Sequence, residues 1–255
     1  MKVSIITVCF NSGTTLRQTI ESVLSQTHND IEHIIIDGDS NDESMSIVNE
    51  YRSRLGKVVS EPDNGLYDAM NKGLGLATGE IIGILNSDDF FENDNVIESV
   101  VSMFSSDSAL ETVFGEVVFV NPDDLDSVVR HYSAKNFKPW KLRFGWMPPH
   151  PATFIKKSVY KKIGNYRMDF KIAADYELFI RLFLKHETSY KFLDEVIVRM
   201  RTGGASTEGI YASIRLNREI VSACRSNGVY TNLALVLSKL PYKLIELRKA
   251  TKTPG

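Results

Sequence analysis

Cysteine is nearly missing from this sequence: Cys9 and Cys224 are the only two in 255 residues. Two distant thiols make neither a disulfide framework nor a thiolate metal site, and this points to a reducing compartment. Charge of one sign is missing too. Thirty Lys and Arg stand against 32 Asp and Glu, a net charge of −2, so no basic field marks the chain as a nucleic-acid binder. No apolar run is long: Val3 to Phe10 cannot span a bilayer and has no cleavage site, so it reads as a strand. Neither G-x-G-x-x-G nor G-x-x-x-x-G-K-[ST] occurs, which argues against dinucleotide cofactors and P-loop ATP chemistry. Internal repeats and low-complexity tracts are absent as well. What remains is 43% hydrophobic and 24% charged, the composition of an ordinary globular chain with one large domain or two modest ones.

Strand and helix patterns alternate from the start. After the first strand, Asn11-Ser12-Gly13 supplies a turn, and Leu16, Ile20, Val23 and Leu24 form one helical face. Ile31 to Ile36 is a second strand, followed by Asp37-Gly38-Asp39-Ser40. Ser40 and Glu43 stand at capping-box spacing before a helix marked by Met45, Val48 and Tyr51. A third strand near Lys57 to Ser60 leads through Glu61-Pro-Asp63-Asn-Gly65 into a helix with Tyr67, Met70 and Leu74 on one side. The order predicts a parallel sheet built from right-handed βαβ units.

The chain is organised around Gly79 to Phe91. Ile81 to Leu85 is an apolar run of strand length, and it stops at Asn86-Ser87-Asp88-Asp89. Ligands of open α/β sheets bind outside the carboxyl ends of the strands. Two adjacent carboxylates there suit Mg²⁺ or Mn²⁺, which would in turn hold a diphosphate. The competing reading is a strand end in which Asp89 or Asn93 caps a helix near Val96 to Phe104. Asn11, Asp37 with Asp39, and Asp63 close the other strands in the same way. Singly each is a cap or turn residue; together they line one sheet edge with acids fit for base N–H or ribose hydroxyls.

These stretches resemble an inverting family 2 glycosyltransferase of the GT-A (nucleotide-diphospho-sugar transferase) fold. The resemblance rests on Ser4 to Asn11, Ile36 to Asp42, Ser60 to Gly73, Leu85 to Asp89, Pro149 to Phe154, Ala173 to Leu178 and Gly203 to Ser206. It implies a mostly parallel, Rossmann-like sheet flanked by helices over residues 1–209. Within it, 1–105 would bind the nucleotide sugar and 106–209 the acceptor. It implies base contacts from Thr7 and Asp37, and it puts Cys9, Asn11, Asp63, Asp68, Asn86 and Asp88 on the nucleotide side. Asp88 and Asp89 would hold Mn²⁺ or Mg²⁺, although the first acid of the usual Asp-x-Asp motif is Asn86 here. Asp175 becomes the catalytic base and His150 an acceptor-side residue. The expected partners are a UDP- or GDP-linked donor and a glycan or lipid-linked saccharide acceptor. The setting implied is surface-polysaccharide assembly in the cytoplasm, or on the inner face of the membrane.

The second half adds its own signals. Phe114 to Val120 reads as a strand and Asn121 to Asp126 as a solvated acidic turn. Trp140, Phe144, Trp146 and Met147 crowd a proline-rich segment, and they read as core or as platforms for sugar rings. Asp175 opens a helix with Leu178, Phe179, Leu182 and Phe183 on its apolar face, where a first-turn Asp also serves as a cap. A strand at Phe192 to Val198 is followed by Arg199 and Arg201, which point the same way from an extended chain and could reach phosphate. From Ile210 to Gly255 the chain reads as a helical tail. Lys239, Lys243, Arg248, Lys249 and Lys252 accompany Leu235, Val236, Leu240, Leu244 and Leu247, interrupted by Pro241. That tail either packs on its own domain or on a partner subunit of a homo-oligomer, or lies on an anionic membrane. A silent nucleotide-sugar sensor and a sugar nucleotidyltransferase are the rival functions. A sensor needs no Asp175, and a nucleotidyltransferase calls for a glycine-rich phosphate loop that Asn11-Ser-Gly matches poorly.

Overall fold

The computed structural model describes residues 1–203 and 209–239. The Gly204-to-Ser206 part of the glycine loop lies outside them. So does the tail from Leu240 on, with Pro241, Leu244, Leu247, Lys243, Arg248, Lys249 and Lys252.

The first half follows the predicted alternation. Strands β1 (Val3–Cys9), β2 (Ile31–Asp37), β3 (Lys57–Ser60) and β4 (Ile81–Ile84) lie in the order β3-β2-β1-β4, all parallel. Helices α1 (Leu16–Leu24), α2 (Ser44–Glu50) and α3 (Leu66–Leu76) cover them. Side chains alternate between the two faces of a strand. Ile6 and Val8 of β1 therefore pack with Tyr67, Met70 and Leu74 of α3, while Val3 and Ile5 pack toward the other face. Ser40 does not cap α2; its hydroxyl turns to Asp37, and Asp42 takes the Ser44 amide instead at 2.9 Å.

Beyond β4 the sheet becomes mixed. Strand β5 (Asp89–Phe91) is followed by helix α4 (Val96–Ser106), then β6 (Thr112–Asn121), β7 (Asp124–Tyr132), β8 (Thr153–Lys156), helices α5 (Lys157–Ile163) and α6 (Ala174–Ile180), and β9 (Tyr190–Arg201). Helices α7 (Gly209–Ser226) and α8 (Leu233–Leu237) complete the described chain. The sheet continues β4-β8-β6-β9-β5, with β7 paired to β6. Antiparallel β8 joins the two halves, and β6 and β9 are parallel. Asp89 lies in β5, so it is not a helix cap, and at the entry to α4 the Asn93 side chain takes the Asn95 amide at 2.9 Å. The acidic turn is tighter than expected. The chain reverses at 122–123 and returns as β7, whose polar, largely exposed sequence carries little strand pattern.

The link from β4 to β5 constrains the shape. In a flat sheet four strand spacings would separate them, about 19 Å. Five Cα steps from Ile84 to Asp89 reach about 17 Å even when extended. The link is not extended, because the Asp89 amide closes a turn onto the Asn86 carbonyl at 3.1 Å. The sheet therefore curls, and β5 comes to rest against α1, where Thr19 Oγ1 donates to the Asp89 carbonyl at 2.7 Å.

One buried ion pair shapes the second half. Arg181, just after α6, bonds Glu177 through Nε and Nη2, and its remaining donors reach the carbonyls of Ile163, Gly164 and Asn165. Both side chains are buried. The guanidinium thereby fixes the loop that carries Tyr166. Removing one partner leaves a buried charge uncompensated. Arg181→Met should lower unfolding stability by about 3–5 kcal/mol, read from the denaturant midpoint at unchanged m-value; a loss below about 1 kcal/mol would show the pair to be dispensable.

Candidate functional site

The carboxyl ends of β1, β2 and β3 are tied together by Asp37. Its side chain is 0% exposed. Oδ1 accepts from the Cys9 thiol at 3.6 Å and from the Ser40 hydroxyl, and Oδ2 from the Ser60 hydroxyl at 2.7 Å and the Ser40 amide at 3.1 Å. Burial and the Asp37 carboxylate hold the Cys9 thiol protonated far above its ordinary range. Asn11, in the left-handed region with φ 50°, accepts the Asn41 amide at 3.0 Å and donates its own to Ser40. Thr7 is fully buried and bonded to His33 Nε2 at 3.0 Å. It offers a ligand no surface, which corrects its expected base contact. Desolvation pushes His33 down to about 3, so that ring is neutral.

A shallow floor lies next to this hub. A Cβ on Gly38 would stand 2.5 Å from Asp63 Oδ2, so only glycine lets that carboxylate approach the backbone so closely. Asp63 Oδ1 accepts the Gly65 amide at 2.7 Å. The Phe10 ring borders Gly38 and is 62% exposed. Asp68, in the first turn of α3, accepts the Asn64 amide at 2.9 Å and sits 3.8 Å from Lys72.

The β4–β5 link supplies the acidic centre. Asp88 is partly exposed, while Asp89 is 1% exposed and accepts from Asn86 Nδ2 at 3.1 Å. Burial, then the neighbouring Asp88 charge, raises Asp89 well above the usual carboxylate range. The Asn86 Oδ1 atom is buried and has no partner among the described residues. Ser87 bonds Ser12 at 2.8 Å, and Thr19 donates to its carbonyl at 2.9 Å. Arg201 reaches across from β9 to the Asp88 carbonyl and to Gln18, its guanidinium 5.1 Å from the centre of the Phe90 ring. Arg199 is not brought to the same place. It is engaged by Glu92 at 2.7 and 2.9 Å and by the Leu125 carbonyl at 2.8 Å.

This centre suits a hard cation. Asp88 and the orphan Asn86 Oδ1 are oxygen donors, and among the described residues no three His, Cys, Asp or Glu form a closed cage. Mg²⁺ and Mn²⁺ accept such sparse sites, taking one or two carboxylates and completing their shell with phosphate and water.

A second cluster forms where α3 meets α6. Asp175 Oδ1 accepts the Tyr176 amide at 2.7 Å, and the Tyr67 hydroxyl, shared with the Ile172 carbonyl at 2.6 Å, lies 3.3 Å from the same oxygen. Among the described residues Oδ2 accepts nothing. Burial raises Asp175 above the ordinary carboxylate value, opposed by His150, the Tyr176 amide and the Tyr67 hydroxyl. His150 bonds the Tyr166 hydroxyl at 2.7 Å, and burial lowers its pKa against the pull of Asp175. Tyr166 stacks on Tyr67 with centroids 5.8 Å apart, and Asn71 holds its amide and carbonyl. The entry to α6 is held from outside: Glu219 of α7 accepts the amides of Lys171, Ile172 and Ala173 at 2.9–3.2 Å. Those amides precede α6; within its first turn Asp175 itself takes the Tyr176 amide.

Sequence reading missed several of these groups. The apolar run reads as strand through Phe10, but β1 ends at Cys9 and the Phe10 ring stands exposed just past it. Tyr67 looked like core, which its ring is, although its hydroxyl faces Asp175. Gln18 and Glu219 carry no local signal, because their partners lie 183 and 46–48 residues away.

The family model described as Glycosyl transferase family 2 matches residues 4–166. An uncharacterized glycosyltransferase of Mycobacterium tuberculosis is 35% identical over 182 residues, covering 70% of this chain and 68% of that protein. Among solved structures, Staphylococcus aureus TarS 1-349 in complex with UDP superposes with a TM-score of 0.69 at 18% identity, over 100% of this chain and 76% of that one. Another TarS crystal structure is matched over 43% of its chain. The mannosyltransferase PcManGT from Pyrobaculum calidifontis, in complex with GDP-Man and Mn²⁺, gives 0.66 at 18% identity, covering 98% and 73%. At such identities the structural likeness is one of fold.

The Asp37 hub makes a stability prediction. Hydrogen bonds to a charged group are worth about 1.5–3 kcal/mol, and half-buried Ser40 and exposed Ser60 can turn to water in part. Asp37→Ala should therefore cost on the order of 3 kcal/mol and Ser60→Ala about 1 kcal/mol, both measured by urea denaturation. Equal, negligible losses would show that the strand ends hold without it.

Proposed function

Since the chain belongs to glycosyl transferase family 2 and is a glycosyltransferase of GT-A fold using a nucleotide-sugar donor, we propose that it moves the sugar to a hydroxyl of a glycan or lipid-linked saccharide with Asp175 as base. The observation that carries this reading is the cluster around Asp175: Tyr67 lies 3.3 Å from Oδ1, His150 favours the ionised carboxylate, and no other described residue donates to Oδ2. A hydroxyl attacking the anomeric carbon must lose its proton, and a positioned carboxylate accepts it. The single displacement inverts the sugar. His150, kept neutral by burial, orients Tyr166 and the floor beneath Asp175 without adding charge.

The donor belongs at the strand ends. The exposed Phe10 face suits the flat base, and Asp63 beside Gly38 suits ribose or base donors. Asp37 shapes this floor, with its four accepted bonds occupied by the protein. Asp88, with Asn86 Oδ1 in place of the expected but buried Asp89, would hold Mn²⁺ or Mg²⁺; the Mn²⁺ with GDP-Man in PcManGT supports a divalent cation. The ion would supply charge neutralisation for the departing diphosphate. Arg201 keeps the Asp88 backbone in place, and Arg199 supports the β5–β9 edge through Glu92.

Two expectations test the assignment. Ligand at about 100 times its dissociation constant stabilises by roughly 2.7 kcal/mol, so UDP or GDP with Mn²⁺ should raise the melting temperature. Asp88→Asn should abolish the Mn²⁺-dependent part of that shift with the apo melting temperature unchanged. A full shift in the mutant would remove Asp88 from the cation site.

Asp175→Asn should retain donor binding and lose transfer by at least about a hundredfold. The wild-type rate should fall as pH drops through the Asp175 pKa, on a limb above the ordinary value of about 3.9, because burial disfavours the ionised form. The Tyr67 hydroxyl stabilises that form, so Tyr67→Phe should move the limb to higher pH. An unmoved limb, or a fully active Asp175→Asn enzyme, would place the base elsewhere.

A further inference from the structure

A cavity of about 970 Å³ opens between the end of β7 and the segment from Asn136 to Met147, with Ser238 on its rim. Its walls are aromatic: Tyr132, Phe137, Trp140, Phe144 and Trp146. An apolar cluster of this size would normally be core, yet Trp140 is 55% exposed and meets Phe144 edge to face at 5.7 Å. Cations stand among the rings. The Arg130 guanidinium lies 5.5 Å from the centre of the Tyr132 ring, and the Lys141 ammonium 5.9 Å from that of Trp140. Lys141 also donates to the Asn136 carbonyl at 2.7 Å.

The charge around this cavity is one-sided. No Asp or Glu occurs between Ser127 and Met168. His131 is paired with Glu116 and Lys135 with Asp194, but among the described residues neither Arg130 nor Lys141 has a carboxylate partner. Purely apolar cargo would leave both cations uncompensated, whereas a carboxylate or phosphate matches the planar Arg fork. Flat, partly wet aromatic faces beside Asn136, Ser133 and Ser238 suit a ligand with an apolar face and a polar edge.

The cavity is tied to the catalytic cluster by covalent reach. Tyr132 Oη donates to the Met147 carbonyl at 2.6 Å, and Tyr176 Oη, next to Asp175 in sequence, donates to the Leu142 carbonyl. Met147 is three residues from His150, so its wall lies within about 11 Å of that histidine. An extended ligand could span both places.

We propose that this cavity binds the acceptor saccharide through an anionic substituent, a carboxylate or a phosphate, with a sugar ring on Trp140. The proposal rests on the transferase reading above. It makes the enzyme one that extends an acidic chain and reads the acid at a site separate from the reacting hydroxyl.

The test uses the full chain and tryptophan fluorescence, titrated with oligogalacturonate, a glycerol-phosphate oligomer, a neutral malto-oligosaccharide of the same length, and phosphatidylglycerol vesicles. One of the two anionic oligomers should bind at least about tenfold more tightly than the neutral one, and which of them does identifies the substituent. Arg130→Gln and Lys141→Gln should each weaken that binding by about tenfold, the loss of one charge-assisted hydrogen bond. Trp140→Ala, at an exposed position, should weaken all saccharide binding. UDP-dependent thermal stabilisation should stay unchanged in all three variants. Equal binding of neutral and anionic oligomers, no binding of either, or binding of vesicles alone would overturn the proposal. Absent UDP and GDP stabilisation in the wild type would instead overturn the transferase reading.

Discussion

Four residues, Leu85 to Asp88, join a strand in the middle of the sheet to one at its edge. No flat sheet can be closed by so short a link, and the rest of the architecture follows from that limit. The edge formed by β9 and β5 must swing round to α1, where Thr19 and Gln18 receive it. The acidic turn therefore sits where the curled sheet meets itself. It is held from three sides: β4 behind it, α1 beside it, and Arg201 of β9 across it. A ligand-binding turn gains rigidity from such convergence, because its groups are oriented by elements that do not themselves touch the ligand.

Three acids near the strand and helix ends show how surroundings divide the labour. Asp37 is fully buried and accepts from a thiol, two hydroxyls and an amide, so it acts as a fastener between loops. Asp89 is also buried but has little beyond Asn86 to accept from, and desolvation favours its neutral form. Asp175 has Oδ1 engaged by the Tyr176 amide, and no other described residue donates to its Oδ2. The residue type is the same in each case; what differs is the number of donors that the tertiary structure brings within reach.

The cluster around Asp175 is assembled from elements far apart in the chain. Tyr67 and Asn71 come from α3, Tyr166 from the loop pinned by Arg181, and His150 from the turn before β8. The described beginning of the tail belongs to the same body: Val236 is buried, and Lys239 donates to the Gly145 carbonyl at 3.3 Å. Among the described residues no helix is long and apolar enough to cross a membrane. The 142–147 segment thus links α8, the aromatic cavity and the approach to His150.

The sequence by itself determined the local elements and the family. The periodicity of Leu16, Ile20, Val23 and Leu24, and the apolar runs of β1, β2 and β4, mark helix and strand because burial demands those spacings. Acids at successive strand ends made the carboxyl edge of the parallel strands legible as well. The tertiary structure decided the rest. It turned Thr7 inward to His33, since facing into a sheet depends on which strand lies alongside. It separated Arg199 from Arg201, although both point the same way along β9, because Glu92 lies within reach of only one. It also brought Glu219 of α7 to the amides of Lys171, Ile172 and Ala173, just before Asp175 and more than forty residues away in the chain. Partnerships of that kind are set by packing distance, and no periodicity in the chain encodes them.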